Sequence, residues 1–145
     1  MEIKIKRLTA TAKIPTRGSS QAAGLDLYAD GESSIQIAPG DTHLVHTGIA
    51  AAIPDGYFGG IYARSGMASK RGLRPANCTG VIDSDYRGEI MVCLRNDSDI
   101  WQEVKPQERI AQMIIQKYEP AELKEVKELD ETDRGEGGFG STGTK

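Results

Sequence analysis

The side chains best suited to chemistry gather in one short stretch, residues 77–88, which reads Asn-Cys-Thr-Gly-Val-Ile-Asp-Ser-Asp-Tyr-Arg-Gly. It holds two carboxylates, which are ionised at neutral pH and can accept a proton, beside an aromatic ring. Gly80 has the backbone freedom of a tight turn and Val81 begins a β-branched run, so residues 77–82 are predicted to form the end of a hairpin. A polar turn that only joins two strands is an equally open interpretation.

The residues after this hairpin are predicted to continue as a strand. Because side chains alternate along a strand, Asp83 and Asp85 are expected to share one face, while Ser84 and Tyr86 take the other. The two carboxylates would then point to the opposite side from the aromatic ring.

Arg64-Ser65-Gly66 opens the best short-helix candidate, residues 65–70. Ser65 is a possible cap of this helix and Gly72 its stop. Backbone N–H groups at a helix start, a serine hydroxyl and an arginine fork together can bind an anion. Ser-Gly turns capped by arginine are common, so an ordinary turn is the competing interpretation.

The last part of the chain carries a second group of anion-binding features. Five of the ten residues 134–143 are glycine, and glycine-dense backbone exposes N–H groups that can wrap an anion. Arg134 adds charge, Phe139 a flat apolar face, and Ser141 and Thr142 hydroxyl donors. A ligand with both a phosphate and a ring would use all of them, whereas a flexible solubilising tail is the alternative.

Composition excludes several function classes. The chain has 145 residues, which suits one domain, and its 17 glycines are typical of a turn-rich β protein. Residues 1–118 contain 14 basic and 13 acidic side chains, so we expect no nucleic-acid surface, while residues 119–136 contain 8 acidic and 3 basic ones. Cys78 and Cys93 lack metal-binding spacing, and no apolar leader or membrane-length run occurs. We therefore expect a soluble intracellular protein with reduced cysteines and no membrane association.

Short strands must position these groups, because no segment before Glu119 has helical periodicity over ten residues. A long central strand is predicted for residues 42–53, and residues 34–37 are expected to follow residues 25–28 across a turn. This pattern favours an all-β antiparallel sandwich or jelly roll with one short helix. The other predicted strands lie at 3–8, 58–63, 89–94, 100–104 and 109–118.

The chain is predicted to divide into two parts. Residues 1–118 form the β body, and Arg109 and Gln112 lie within its last strand, where a solvated face is the favoured meaning of both side chains. Residues 119–145 form an acidic linker and a flexible glycine-rich arm that cannot build a core of its own.

Five segments in order resemble the five motifs of the trimeric deoxyuridine triphosphatases (dUTPases), and they span nearly the whole chain. The segments are Ala23-Gly24-Leu25-Asp26-Leu27, Arg64-Ser65-Gly66-Met67-Ala68, residues 80–88, Arg109-Ile110-Ala111-Gln112, and residues 134–143. Each is unremarkable alone, but five in order at compatible spacing are very specific. Leu25 stands where an aromatic residue is frequent in the family.

The resemblance implies a jelly-roll-like β-barrel or sandwich of the β-clip type that assembles as a homotrimer, with active sites at subunit boundaries. It also implies hydrolysis of dUTP at the α-phosphorus to dUMP and pyrophosphate, which limits uracil incorporation into DNA and supplies dUMP for thymidylate synthesis. Asp83 is implied to be the base that deprotonates the attacking water, and Asp85 is expected to be structural. Mg²⁺ is implied to bridge the phosphates, with Asp26 near the metal through water.

The same resemblance assigns the substrate contacts. The backbone at the predicted hairpin is implied to read the uracil edge, and Tyr86 to pack against the deoxyribose where a ribose hydroxyl would clash. The arm is implied to close over the ligand and exclude bulk water. The hairpin residues are Asn77, Gly80, Val81 and Ile82; the phosphate-binding residues are Arg64, Ser65, Gly66 and Gln112; the arm residues are Arg134, Phe139, Gly140, Ser141 and Thr142.

Two other functions remain open from the sequence. A dCTP deaminase resembles dUTPases in fold and phosphate binding, but it would release ammonia and fits residues 80–86 less well. A trimeric regulatory protein could keep the same nucleotide site as a ligand-controlled switch without turnover.

Overall fold

The computed structural model describes residues 1–138, and almost all of its regular structure is β. Every paired strand is antiparallel, so the predicted all-β antiparallel class is confirmed. The elements in chain order are β1 (Lys4–Arg7), β2 (Leu25–Tyr28), β3 (Ile35–Ile37), β4 (Thr42–Val45), β5 (Ile49–Ala52), β6 (Tyr57–Tyr62), α1 (Ser65–Arg71), β7 (Leu73–Pro75), β8 (Gly80–Ile82), β9 (Val92–Asn96), β10 (Gln102–Val104) and β11 (Arg109–Lys117).

Two larger sheets enclose the core. One sheet has the strand order β2-β11-β6-β8 and the other the order β4-β9-β7, while β1 pairs with β5 and β3 with β10. Buried side chains from both larger sheets form one hydrophobic cluster, among them Leu27 and Met113 from the first and Val45 and Leu94 from the second. Sheet-on-sheet burial of this kind is how an antiparallel sandwich fixes the loops at its ends.

The predicted long strand at residues 42–53 is wrong, because the chain bends between β4 and β5. Gly48 takes a φ of 63°, in the left-handed region that glycine tolerates. The Glu89 carboxylate accepts hydrogen bonds from the N–H groups of Thr47 and Gly48 at 3.1 and 2.7 Å. The bend therefore has its own hydrogen-bond partners and does not need a strand ladder.

The strand predicted at residues 34–37 is present as β3, but β3 does not pair with β2, the strand that precedes it in the chain. β3 pairs with β10, whereas β2 pairs with β11. The two segments are consecutive in sequence but belong to different sheets, which alternation along a strand does not reveal.

The predicted short helix is confirmed, with one change at its start. Arg64 occupies the cap position and makes no side-chain capping bond, so Ser65 is the first helical residue and not the cap. Gly72 ends the helix in the left-handed conformation at φ 66°, as predicted.

After β11, residues 119–138 contain no strand or helix, and Leu123 and Leu129 are 97% and 84% exposed. Across residues 1–138, no helix is both long and apolar enough to cross a membrane.

Candidate active site

Residues 76–82 carry the chain from one large sheet to the other, so the predicted hairpin is wrong. β7, before this corner, pairs with β9, while β8, after it, pairs with β6. The left-handed residue of the corner is Cys78, with φ 62°, whereas Gly80 already lies within β8. The Cys78 N–H donates to the Pro75 carbonyl at 3.0 Å and closes the turn.

The corner nevertheless brings the predicted base-binding residues together. Asn77, Gly80, Val81 and Ile82 line a cavity of about 110 Å³, whose other walls are Ile61, Pro75, Met91, Val92 and Cys93. Because β8 is an edge strand, one row of its backbone N–H and C=O groups is not used by the sheet. Such an edge can recognise a small flat ring whose own edge alternates acceptors and donors.

Beyond β8 the chain turns, so the predicted alternation of side chains from residue 83 to residue 86 is wrong. The Tyr86 N–H donates to the Asp83 carbonyl at 3.2 Å. Asp83 is exposed, and its carboxylate has no ion pair or hydrogen-bond partner within residues 1–138. An unpaired carboxylate at a cavity rim is free to accept a proton from a bound water molecule.

Asp83 stands between two further grooves. One groove, of about 240 Å³, is lined by Tyr86 together with Leu44, Val81, Ile82, Glu89 and Met91. It shares Val81, Ile82 and Met91 with the cavity of about 110 Å³, which is called the base-sized cavity below. The other, of about 510 Å³, is lined by Asp85 together with Phe58, Val81, Ser84 and Tyr118. The rings of Phe58 and Tyr118 in this groove have their centroids 6.5 Å apart. The sequence did not predict them as site residues, because each lies at the end of a strand and no motif surrounds it.

A second cluster of predicted residues lies around Asp26. Its buried carboxylate accepts hydrogen bonds from Arg64 Nε at 2.9 Å and from Arg109 Nη1 at 3.3 Å. Two guanidinium groups against one carboxylate leave an excess of positive charge, which suits an anion such as phosphate. Arg109 is thus part of the cluster, and the interpretation of a purely solvated side chain missed its partner.

Gln112 belongs to the same cluster. It lies opposite Asp26 on β2 and Tyr62 on β6, and its Nε2 donates to the Ala63 carbonyl at 2.9 Å. This bond fixes the chain just before Arg64, where Ser65 and Gly66 begin α1 with exposed side-chain positions. The four residues predicted to bind phosphate are therefore neighbours.

The Asp26 cluster and Asp83 lie far apart within one chain. Ile82, which precedes Asp83, is paired with Gly59 near the beginning of β6, whereas Arg64 follows the end of β6. At about 3.3 Å per residue, the intervening strand separates the two by roughly 15–20 Å. The side chain of Arg64 also points towards β2, at the opposite edge of the sheet from β8.

The cluster offers little to a metal ion directly. Both Asp26 oxygens accept hydrogen bonds from arginine, and within residues 1–138 no three His, Cys, Asp or Glu side chains are grouped to hold a metal. A carboxylate oxygen has a second lone pair, so a contact through a metal-bound water is compatible with this geometry.

Arg134 is the one predicted arm residue that the structure describes, and its Nε donates to the Gly137 carbonyl at 2.8 Å. Phe139, Gly140, Ser141 and Thr142 lie outside the described residues.

Comparisons with known proteins agree with the motif pattern. A sequence model of the dUTPase family matches residues 10–143. The deoxyuridine 5'-triphosphate nucleotidohydrolase of Nautilia profundicola is 48% identical over 143 residues, covering 99% of each chain. The solved structure of a mutant dUTPase of Staphylococcus bacteriophage 80alpha with dUpNHpp superposes with a TM-score of 0.89 at 29% identity, over 98% of each chain. A mutant dUTPase of phage phi11 of S. aureus, described with a structural Mg(II) ion, shares the fold at 24% identity over 89% of this chain and 99% of that one, with a TM-score of 0.79.

Proposed function

This chain belongs to the dUTPase family, and we propose that it hydrolyses dUTP to dUMP and pyrophosphate. The proposed site lies where the chain turns after β8, between Asp83 and Tyr86. The observation that carries the proposal is the exposed, unpaired carboxylate of Asp83 beside a base-sized cavity. Asp83 acts as the base: it orients a water molecule and takes its proton as the oxygen attacks the α-phosphorus, and pyrophosphate leaves.

The small cavity binds uracil. The unused backbone edge of β8 meets the acceptor-donor-acceptor edge of the base, with Asn77, Gly80, Val81 and Ile82 around it. Cytosine inverts part of this pattern, which leaves buried groups unpaired at a cost of about 1–3 kcal/mol each. The sugar then lies in the adjoining groove against Tyr86.

The phosphates bind at the other cluster, contributed by a neighbouring copy. Arg64, Ser65, Gly66 and Gln112 lie too far from the Asp83 of their own chain to meet one triphosphate, whose phosphorus atoms are separated only by bridging oxygens. We therefore propose a homotrimer in which each site combines the Asp83 corner of one copy with the arginine cluster of the next.

Mg²⁺ would be carried mainly by the phosphates, where it neutralises charge and retains most of its waters. Asp26 is the residue that we propose to contact it, through one of those waters, since its oxygens are already engaged by arginines. The chain itself supplies no multidentate metal site within residues 1–138.

Residues 119–145 act as a linker and arm that closes the site. Arg134, Ser141 and Thr142 approach the phosphates and Phe139 covers the uracil, which excludes bulk water from the reacting atoms. We also propose that the enzyme works inside the cell, where its free cysteines stay reduced.

Pyrophosphate and ammonia release, measured with dUTP, dCTP, dTTP and UTP in the presence and absence of Mg²⁺, tests the reaction. We expect pyrophosphate from dUTP and little from the other nucleotides. Ammonia from dCTP would instead identify a deaminase, and tight dUTP binding without turnover would identify a regulatory protein.

Mixed assembly tests the shared site. Asp83→Asn and Arg64→Ala chains are each expected to be inactive, but co-refolding them at equal amounts pairs an intact corner with an intact cluster in about a quarter of the sites. If the mixture stays as inactive as its components while forming mixed trimers, each site lies within a single chain and this part of the proposal is wrong.

A further inference from the structure

The ring of Tyr86 occupies the space that a side chain at residue 88 would need. A Cβ atom built on Gly88 would lie 2.4 Å from Tyr86 Oη, 2.5 Å from Cζ and 2.9 Å from Cε2, closer than real Cβ atoms approach. Gly88 does not take a positive φ, so its backbone conformation is open to other residues. The Tyr86 ring, and not the backbone conformation, therefore restricts which side chains fit at residue 88.

The ring is also held at its far end. Tyr86 Oη donates to the Glu89 carbonyl at 3.0 Å. The ring thus packs against Gly88 and is hydrogen-bonded to Glu89 at its far end, although Tyr86 is 41% exposed and lines the groove.

Glu89 connects this anchor to the framework of the protein. One carboxylate oxygen accepts from the N–H groups of Thr47 and Gly48, and the other lies 2.9 Å from His46 Nδ1. The next residue is tied to the same bend, because the Ile90 carbonyl accepts from Thr47 Oγ1 at 2.5 Å. The carbonyl that receives the tyrosine hydroxyl is consequently fixed against the bend between β4 and β5.

We propose that Gly88 and Glu89 are positioning residues that hold the Tyr86 ring as a fixed wall of the sugar groove, and so set the discrimination between deoxyribose and ribose. The inference rests on the proposed function. A ribose differs by one oxygen atom, and a wall that yields by about an ångström no longer rejects such a small group. Shape selection at this groove therefore depends on how firmly the ring is held.

The decisive variant is Gly88→Ala, and Gly18→Ala is its matched control. Gly18 also lacks a positive φ, and a Cβ built there meets nothing within 4 Å. We expect the ratio of kcat/KM for dUTP over UTP to fall roughly tenfold or more in Gly88→Ala, as for other single-group discriminations, and to stay unchanged in Gly18→Ala. A general loss of activity with an unchanged ratio would show a merely structural role and overturn the proposal.

A second readout does not depend on catalysis. In protein labelled with 3-fluorotyrosine, the Tyr86 signal is assigned by its disappearance in Tyr86→Phe. We expect this ¹⁹F signal to shift in nucleotide-free Gly88→Ala and to keep its position in Gly18→Ala. An unmoved signal would overturn the proposal even if the wild type hydrolysed no dUTP, whereas a shifted signal without any wild-type turnover would count only against the proposed function.

Glu89→Ala keeps the proposal testable if Gly88→Ala does not fold. It removes the tie to the bend without adding atoms next to the ring. We expect the same direction of change in the substrate ratio, with a smaller magnitude, and a broadened Tyr86 signal. A ratio equal to that of the wild type in a folded Glu89→Ala protein would overturn the role of Glu89.

Discussion

Asp26 lies buried between two guanidinium groups, whereas Asp83 is exposed and has no partner within residues 1–138. The first carboxylate comes from β2, the strand at one edge of the four-stranded sheet, and the second follows β8, the short strand at the opposite edge of that sheet. A carboxylate that already accepts two charge-assisted hydrogen bonds is a poor base but a good organiser of arginines. An unpaired one can take a proton, so in the proposed function the first region holds the phosphates and the second activates the attacking water molecule.

Replacing the free carboxylate is expected to have the largest effect. Asp83→Asn should lower kcat by a factor on the order of 10² or more, because it removes the proposed base without removing any side-chain contact that holds the fold. Thermal unfolding and dUTP binding should stay close to those of the wild type. Asp85→Asn is the matched control, since Asp85 lines the neighbouring groove and is also exposed. Near-normal turnover by Asp83→Asn would remove the distinction between the two regions.

Removing the arm tests whether the Asp26 cluster and the Asp83 region are sufficient for full activity without it. Truncation before Arg134 should preserve the assembly but lower kcat/KM roughly tenfold or more, since groups that close a site position its reacting atoms. Glu122→Gln, in the exposed linker, is a control that keeps the arm. Steady-state kinetics and size-exclusion chromatography measure the two properties. An unaffected rate would mean that the arm is only a tether.

Replacing the paired carboxylate should produce a different pattern. Asp26→Asn leaves one acceptor oxygen for two arginines, so we expect a loss of about 1–3 kcal/mol in the free energy of unfolding. The KM for dUTP should rise, because Arg64 and Arg109 lose their common anchor, while kcat should change less than in Asp83→Asn. Urea unfolding and a KM-against-kcat comparison check this prediction. A drop in kcat as large as that of Asp83→Asn, at normal stability, would contradict it.

The sequence predicted the elements better than their partners. Local alternation was enough to identify the strand Leu25–Tyr28, and the single glycine Gly72 was enough to end the helix. The single strand predicted for residues 42–53 was wrong because Glu89 stabilises a bend within this segment. Glu89 is far away in sequence, so nothing in residues 42–53 indicates the contact. Long-range hydrogen bonds of this kind leave no local periodicity.

The same difference applies to the candidate site: its residues could be predicted from the sequence better than their long-range partners. The residues around the base-sized cavity were identified through their motif, yet the predicted hairpin was wrong because β7 and β8 join different sheets. Arg109 was interpreted as solvated because nothing local indicates that Asp26 faces it from the neighbouring strand. Motif order predicts where the chemistry lies, but the pairing of the strands decides which carboxylate is engaged by arginines.

Asp97 repeats the arrangement of Asp26 at the surface, since its carboxylate also accepts hydrogen bonds from two arginines. Replacing Asp97 is expected to have the smallest effect of these changes. Asp97 accepts from Arg95 Nε at 2.7 Å and from Arg74 Nε at 2.5 Å, but its side chain is 37% exposed. Partial burial raises the pKa of Asp97, and the hydrogen bonds from Arg95 and Arg74 outweigh it, so the pKa is lowered from its ordinary 3.8.

Because the folded-state pKa of Asp97 is the lower one, the ionised carboxylate contributes stability above pH 3.8, and this contribution is lost as the pH falls through the folded-state pKa. Asp97→Asn should therefore unfold at a slightly lower temperature than the wild type at neutral pH, with a smaller shift than Asp26→Asn, because solvent screens exposed pairs. The difference between Asp97→Asn and the wild type should vanish in strongly acidic buffer. A difference that stays constant across this pH range would mean that Asp97 acts through packing and not through its charge.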